Sequence, residues 1–143
     1  MDKTYDLSRF HKAQEGDYRQ ALSEIKAGRK RSHWIWYIFP QLKGLGFSHM
    51  AEYYGIDGLD EAKAYLADPV LKERLLEISR ALLGLETGNA LEVMGYPDNL
   101  KLLSSMTLFS AAEPDNYVFS SVLDKFFEGR KDGVTLQMIG KDG

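Results

Sequence analysis

The stretch SHWIWYIF, residues 32–39, decides the fold. Its aromatic and isoleucine side chains suit a strand. A strand must pair its backbone N–H and C=O groups with a neighbour, and no second segment of this chain makes a comparable strand. The stretch is therefore expected to be a buried helix, entered at Ser32 and ended before Pro40. The residue preceding a proline is pushed out of helical backbone, which sets that end.

Outward from this segment the chain has helical spacing throughout. Residues 6–14, DLSRFHKAQ, can start one helix near Asp6 or Ser8. Residues 17–28, DYRQALSEIKAG, make a clearer one, with Tyr18, Ala21, Leu22 and Ile25 at i, i+3, i+4, i+7. Asp17 is its expected N-cap and Gly28 its stop. Ser48 caps SHMAEYYG, and LDEAKAYLAD ends against Pro69. The segment from Pro69 to Glu86 carries Leu71, Leu75, Ile78, Leu82 and Leu85 on one helical face, with proline in the first turn where it is tolerated. NALEVMG, YPDNLKLLSSMTLFSAA and DNYVFSSVLDKFFEG complete the helices. The tail DGVTLQMIG suits a short strand or a last turn of helix. The expected fold class is all-α, a multihelical single domain over residues 1–143 with at most a minor strand element. Trp36, Phe39, Leu75, Ile78, Leu82, Leu103, Met106, Val122 and Phe126 are its expected core.

Composition narrows the chemistry. The apolar share of 44% and charged share of 27% are those of a soluble globular protein. A formal charge of −3 gives no overall attraction to nucleic acid or to an anionic membrane. The chain has no cysteine, which excludes disulfides, thiolate nucleophiles and cysteine metal sites. The start MDKTYDLSRF lacks the apolar centre of a signal peptide, and the apolar run WIWYIF is far short of a membrane span of about 20 residues. A cytoplasmic location is the expectation. His11, His33 and His49 show no paired-ligand spacing, so no metal and no cofactor is expected.

Three segments carry candidate ligand chemistry. In KAGRKRSHW, Arg31 can fork onto a phosphate and Trp34 can stack on a base, with Ser32 and His33 between them. The alternative is a solvated basic loop above an aromatic core. In KGLGFS, Lys43, Gly44 and Gly46 lead into the helix capped by Ser48, and glycines let backbone approach a ligand closely. The spacing fits neither a P-loop nor a dinucleotide fingerprint, and a flexible helix–helix connection is the alternative. In DNLKLLSS, Asp98, Lys101 and Ser105 fall in a wedge of roughly 60° on a helix that is otherwise nearly all apolar. They face either a cleft or solvent. His33, Asp98 and Lys101 are the candidates for acid–base work. Arg130 and Lys131 form a second, small basic spot in what is expected to be an exposed turn.

Four blocks together, SHWIWYIFPQLKGLGFS, YGIDGLDEAKAYLADPVLKERL, DNLKLLSSMTLF and VLDKFFEGRKDGVTL, resemble the domain-of-unknown-function family 1810 from about Leu7 to Met138. That family consists of uncharacterised bacterial proteins, some labelled calpastatin in automatic naming. The resemblance implies an all-helical cytoplasmic protein and no established activity. A calpastatin would be unstructured and proline-rich, which this aromatic, helical sequence is not. The style of an aromatic segment, a helix with A..YL..P.L and a polar-striped helix is loosely similar to the NADAR group, associated with ADP-ribose derivatives. The expected function is binding or processing of a small phosphate-bearing ligand, nucleotide or ADP-ribose-like. The alternatives are a protein-interaction module without chemistry, and a purely structural role for every residue above.

Overall fold

A computed structural model describes residues 4–140. Residues 1–3 of the MDKTYDLSRF start lie outside the described part, as do residues 141–143. Among the described residues there are nine helices: α1 (Ser8–Lys26), α2 (Ile35–Ile38), α3 (His49–Tyr53), α4 (Gly58–Ala67), α5 (Pro69–Leu83), α6 (Ala90–Met94), α7 (Asp98–Ala112), α8 (Tyr117–Phe127) and α9 (Gly133–Gly140).

α7 is the centre. It packs against α2, α4, α6, α8 and α9, and Leu102, Met106, Leu108 and Phe109 on it are fully buried. An apolar surface on nearly every side demands such surroundings. α1 and α5 close the remaining flank, with α5 also packed on α8 and α4. Aromatic rings join the layers: Phe10 meets Tyr65 edge-on at 5.1 Å, Tyr65 meets Phe109 at 5.2 Å, and Phe109 meets Phe119 at 5.9 Å.

Side chains cap several helices, at Ser48 as the sequence led one to expect. The Ser48 hydroxyl accepts from the Ala51 N–H at 3.1 Å. Asp68 accepts from the Val70 and Leu71 N–H groups just before Pro69. The tail forms α9, where Asp132 accepts from both the N–H and the hydroxyl of Thr135.

Three expectations change. The two N-terminal segments are one helix, α1, which runs through Gly16 and Asp17 without a break. Asp17 caps nothing there; its carboxylate accepts the Tyr37 hydroxyl. The stretch 32–39 yields only one helical turn, entered at Trp34 and not at Ser32. Ser32 is diverted because both its N–H and its hydroxyl donate to Glu24. Of the expected core, Phe39, Leu75, Ile78, Leu82, Met106, Val122 and Phe126 are buried, while Trp36 and Leu103 are half-buried at the rims of two clefts.

Extended structure among the described residues is one isolated parallel bridge between Leu42 and Ile56. It is held by Lys43 N–H to the Ile56 carbonyl and Ile56 N–H to the Gln41 carbonyl, each at 2.9 Å. Gly55 allows it: a Cβ there would lie 2.6 Å from the Lys43 Cα, a backbone atom that cannot yield.

Candidate functional site

The basic segment after α1 is organised by a carboxylate, Glu24. It accepts the N–H groups of Arg31 at 2.7 Å and Ser32 at 3.0 Å, the Ser32 hydroxyl at 2.6 Å, the Trp34 indole N–H at 2.9 Å and the Gln20 amide at 3.0 Å. Burial pushes the Glu24 carboxyl up, but hydrogen bonds from Ser32, Arg31, Trp34 and Gln20 outweigh it and hold the group at about 2. Glu24 is ionised at neutral pH and fixes the segment. The Trp34 ring is 1% exposed, so it fills the core instead of offering a stacking face. Arg31 and His33 point outward and are exposed.

Asp98 opens α7 and sits between two lysines. Lys30 Nζ is 2.7 Å from one oxygen and Lys101 Nζ is 3.7 Å from the other. Lys30 lies over the Trp34 ring at 4.9 Å and Lys101 over the Trp36 ring at 5.1 Å. The stripe thus joins the aromatic segment, and Asp98, Lys101 and Trp34 share one cluster. Lys30 is what links them; in the sequence it was one member of a basic run. Ser105, one turn beyond Lys101, is fully buried and its hydroxyl has no partner. The Trp36 indole N–H is also buried without a partner. A narrow cleft beside Trp36, lined also by Gln41, Tyr54 and Lys101 among others, has a volume of about 10 Å³. That is room for one water.

The glycine loop borders the narrow cleft at Gly46, which is packed against Ala51 and Gln41 of its lining, while Lys43 and Gly44 are exposed. Ser32 and His33 are not among the residues that line this cleft.

The larger concavity is elsewhere. A groove of about 650 Å³ runs between the 87–91 segment, α7 and the end of α8. Leu91, Leu100, Leu103, Phe126 and Phe127 form its apolar wall. Arg130 and Lys131 stand at one end, and Thr87, Asn89 and Asn99 supply further polar groups. The Arg130 Nε donates to the Phe127 carbonyl at 3.1 Å, which leaves the outer face of its guanidinium available. The Asn99 side-chain oxygen is buried and unpartnered. No carboxylate is among the described residues that line the groove. Sequence reasoning noted Arg130 and Lys131 only as an exposed turn. The half-apolar Leu100/Leu103 side of α7 was the signal that another wall stood there.

Residues 4–139 match the family described as protein of unknown function (DUF1810). The chain belongs to that family. The match spans all four blocks that carry the DUF1810 resemblance in the sequence. The crystal structure of the conserved hypothetical protein Rv1873 from Mycobacterium tuberculosis is similar over 95% of this chain and 97% of that one, at 44% identity with a TM-score of 0.93. No curated protein matches the chain. The DUF1810 description names no reaction, so chemistry has to be inferred from the site. Among the described residues there is no group of three or more metal-ligating side chains, and no helix is long and apolar enough to cross a membrane.

Proposed function

We propose that this protein binds a small phosphate-bearing molecule in the groove between the 87–91 segment, α7 and the end of α8. The supporting observation is the lining: a cavity of about 650 Å³ with an apolar wall, two cations and no carboxylate, on a chain of net charge −3. Small-molecule sites have this form, with volumes of roughly 300–1,000 Å³ and a few placed polar groups. Arginine's planar fork matches phosphate oxygens, and lysine adds a point charge. In this reading Asp98 and Lys101 are not the acid–base pair. They anchor the first turn of α7, and the next residue after Asp98 is Asn99, which lines the groove.

A thermal-shift series with phosphate-bearing compounds and their dephosphorylated counterparts tests this. A ligand at 100 times its Kd adds about 2.7 kcal/mol. The shift should vanish in the Arg130→Ala, Lys131→Ala double variant while its unliganded melting midpoint stays near wild type. Absence of a shift with every phosphate-bearing compound overturns the proposal.

A second reading, an interaction module, draws on the 43–53 segment. Phe47 is 86% exposed at the loop, and Tyr53, stacked with His49 at 6.3 Å, is 53% exposed. Exposed aromatics of this kind anchor protein partners. Phe47→Ser tests it: loss of a partner recovered with wild type, at unchanged stability, favours this reading over the first.

A further inference from the structure

We infer that the phosphate-bearing molecule held in the groove has an apolar alkyl or aryl body and not a sugar. This rests on the phosphate-site reading and deepens it. The observation is how the polar side chains of the lining are already engaged. Three of them carry an oxygen that could accept from a sugar hydroxyl: Thr87, Asn89 and Asn99. The first two are taken up at the start of α6. The Thr87 hydroxyl donates to the Glu92 carboxylate at 3.2 Å and accepts from the Asn89 N–H at 3.1 Å, and the Asn89 side-chain oxygen accepts from the Glu92 N–H at 3.2 Å. The Asn99 side-chain oxygen is closed to solvent. No carboxylate is among the described residues of the lining. A sugar would bring hydroxyl donors out of water to a wall without a free side-chain acceptor, and donors left unmet count against binding.

What the groove offers instead is hydrocarbon. Leu91 and Leu100, which line it, are 54% and 47% exposed, and Leu103, Phe126 and Phe127 continue the same wall. A single exposed leucine is ordinary, but several around one concavity mark a place for an apolar group. The cationic end is held in position. The Arg130 N–H and Nε both donate to the Phe127 carbonyl, and one residue beyond Lys131 the Asp132 N–H donates to the Thr107 hydroxyl at 2.9 Å. Among the described residues neither Arg130 nor Lys131 is paired with a carboxylate. A molecule with an anionic head and a hydrocarbon body complements both ends.

Four probes separate the outcomes by calorimetry on the intact chain: butyl phosphate, hexyl phosphate, hexanol and ribose 5-phosphate. Hexyl phosphate should bind about four- to sixteenfold more tightly than butyl phosphate, since a fully buried methylene is worth about fourfold and a half-buried one about twofold. Ribose 5-phosphate should bind more weakly than either. Leu100→Ser should flatten the step between the two alkyl esters, with its melting midpoint confirming that it folds. Equal wild-type affinity for the two alkyl esters overturns the inference, and this comparison needs no variant. An unchanged step in a folded Leu100→Ser protein places the alkyl chain outside the groove and also overturns it. Ribose 5-phosphate binding as tightly as hexyl phosphate leaves a phosphate site but removes the apolar body. Hexanol binding as tightly as hexyl phosphate, or failure of every phosphate to bind, overturns the phosphate reading as well.

Discussion

Lys30 and Asp98 meet at 2.7 Å across the seam between the segment after α1 and the first turn of α7, with the lysine side chain 5% exposed and the aspartate 18%. Lys30 also donates to the Ser32 carbonyl, and its own N–H donates to the Val93 carbonyl at 2.7 Å. Lys30 therefore ties three parts together: its ammonium joins α7 to the Glu24-bound segment, and its backbone N–H adds α6. Lys101 touches the same carboxylate more loosely, at 3.7 Å.

Removing Asp98 should cost more than removing Lys101. Asp98→Ala leaves Lys30 charged and uncompensated, at a cost of about 3 kcal/mol, the low end for a buried partner because Asp98 is partly exposed. Lys101→Ala should cost less than about 1 kcal/mol, as partly solvated pairs do. Urea unfolding of both variants measures the difference. Equal costs would show that Lys30 is not the partner that matters.

Glu24 makes stability depend on pH. Its carboxyl is held at about 2 in the fold against 4.5 in a free chain. A depressed carboxyl stabilises fully above its unfolded value and loses that contribution as pH falls towards the folded one. About 3 kcal/mol should therefore disappear between pH 4.5 and 2. Asp68 and Glu113 are also held below the usual carboxylate range, against the upward push of burial, by His11 and by Lys72 respectively. Their losses add in the acid limb. Glu24→Gln should be less stable at neutral pH and show a shallower acid limb in denaturation curves taken from pH 7 to 2.

Gly55→Ala should destabilise the fold by about 1–3 kcal/mol, the range for forced overpacking. The new methyl would lie 2.6 Å from the Lys43 Cα and 2.9 Å from the Ala51 carbonyl. Amide exchange at Lys43 and Ile56, the two donors of the Leu42–Ile56 bridge, should accelerate in the same variant. Unchanged protection would mean the approach relaxes at little cost.

Met106 and Leu103 share α7 but not an environment. Met106→Ala opens a cavity in the core and should cost about 2–5 kcal/mol. Leu103→Ala removes part of the groove wall, where water can enter, and should cost less than half as much. Melting midpoints of the pair decide it. A reversed order would put the groove on the wrong side of α7.

The helical class was legible in the sequence because 3.6-residue spacing is a local property and burial follows it directly. Leu75, Ile78 and Leu82 lie on the buried face of α5, and Ser48 caps α3, because each effect acts within a few residues. The Asp98–Lys101–Ser105 stripe was legible as a stripe for the same reason. The helix entry at Trp34 was not, since it depended on Glu24, a residue of the preceding helix whose carboxylate captures two N–H groups and a hydroxyl of the later segment. Trp34 and Trp36 look alike in WIWYIF, yet one is sealed against Glu24 and the other lies half-buried under Lys101.

By itself the sequence determined an all-helical chain with an apolar α7 at its centre. Periodicity and caps are written in neighbouring residues. Only the tertiary structure decided that Lys30 neutralises Asp98, and that Arg130 and Lys131 meet Asn99 around one groove. Those residues are far apart in the chain, and long-range pairing of charges and cavities depends on how helices dock, which no local pattern encodes.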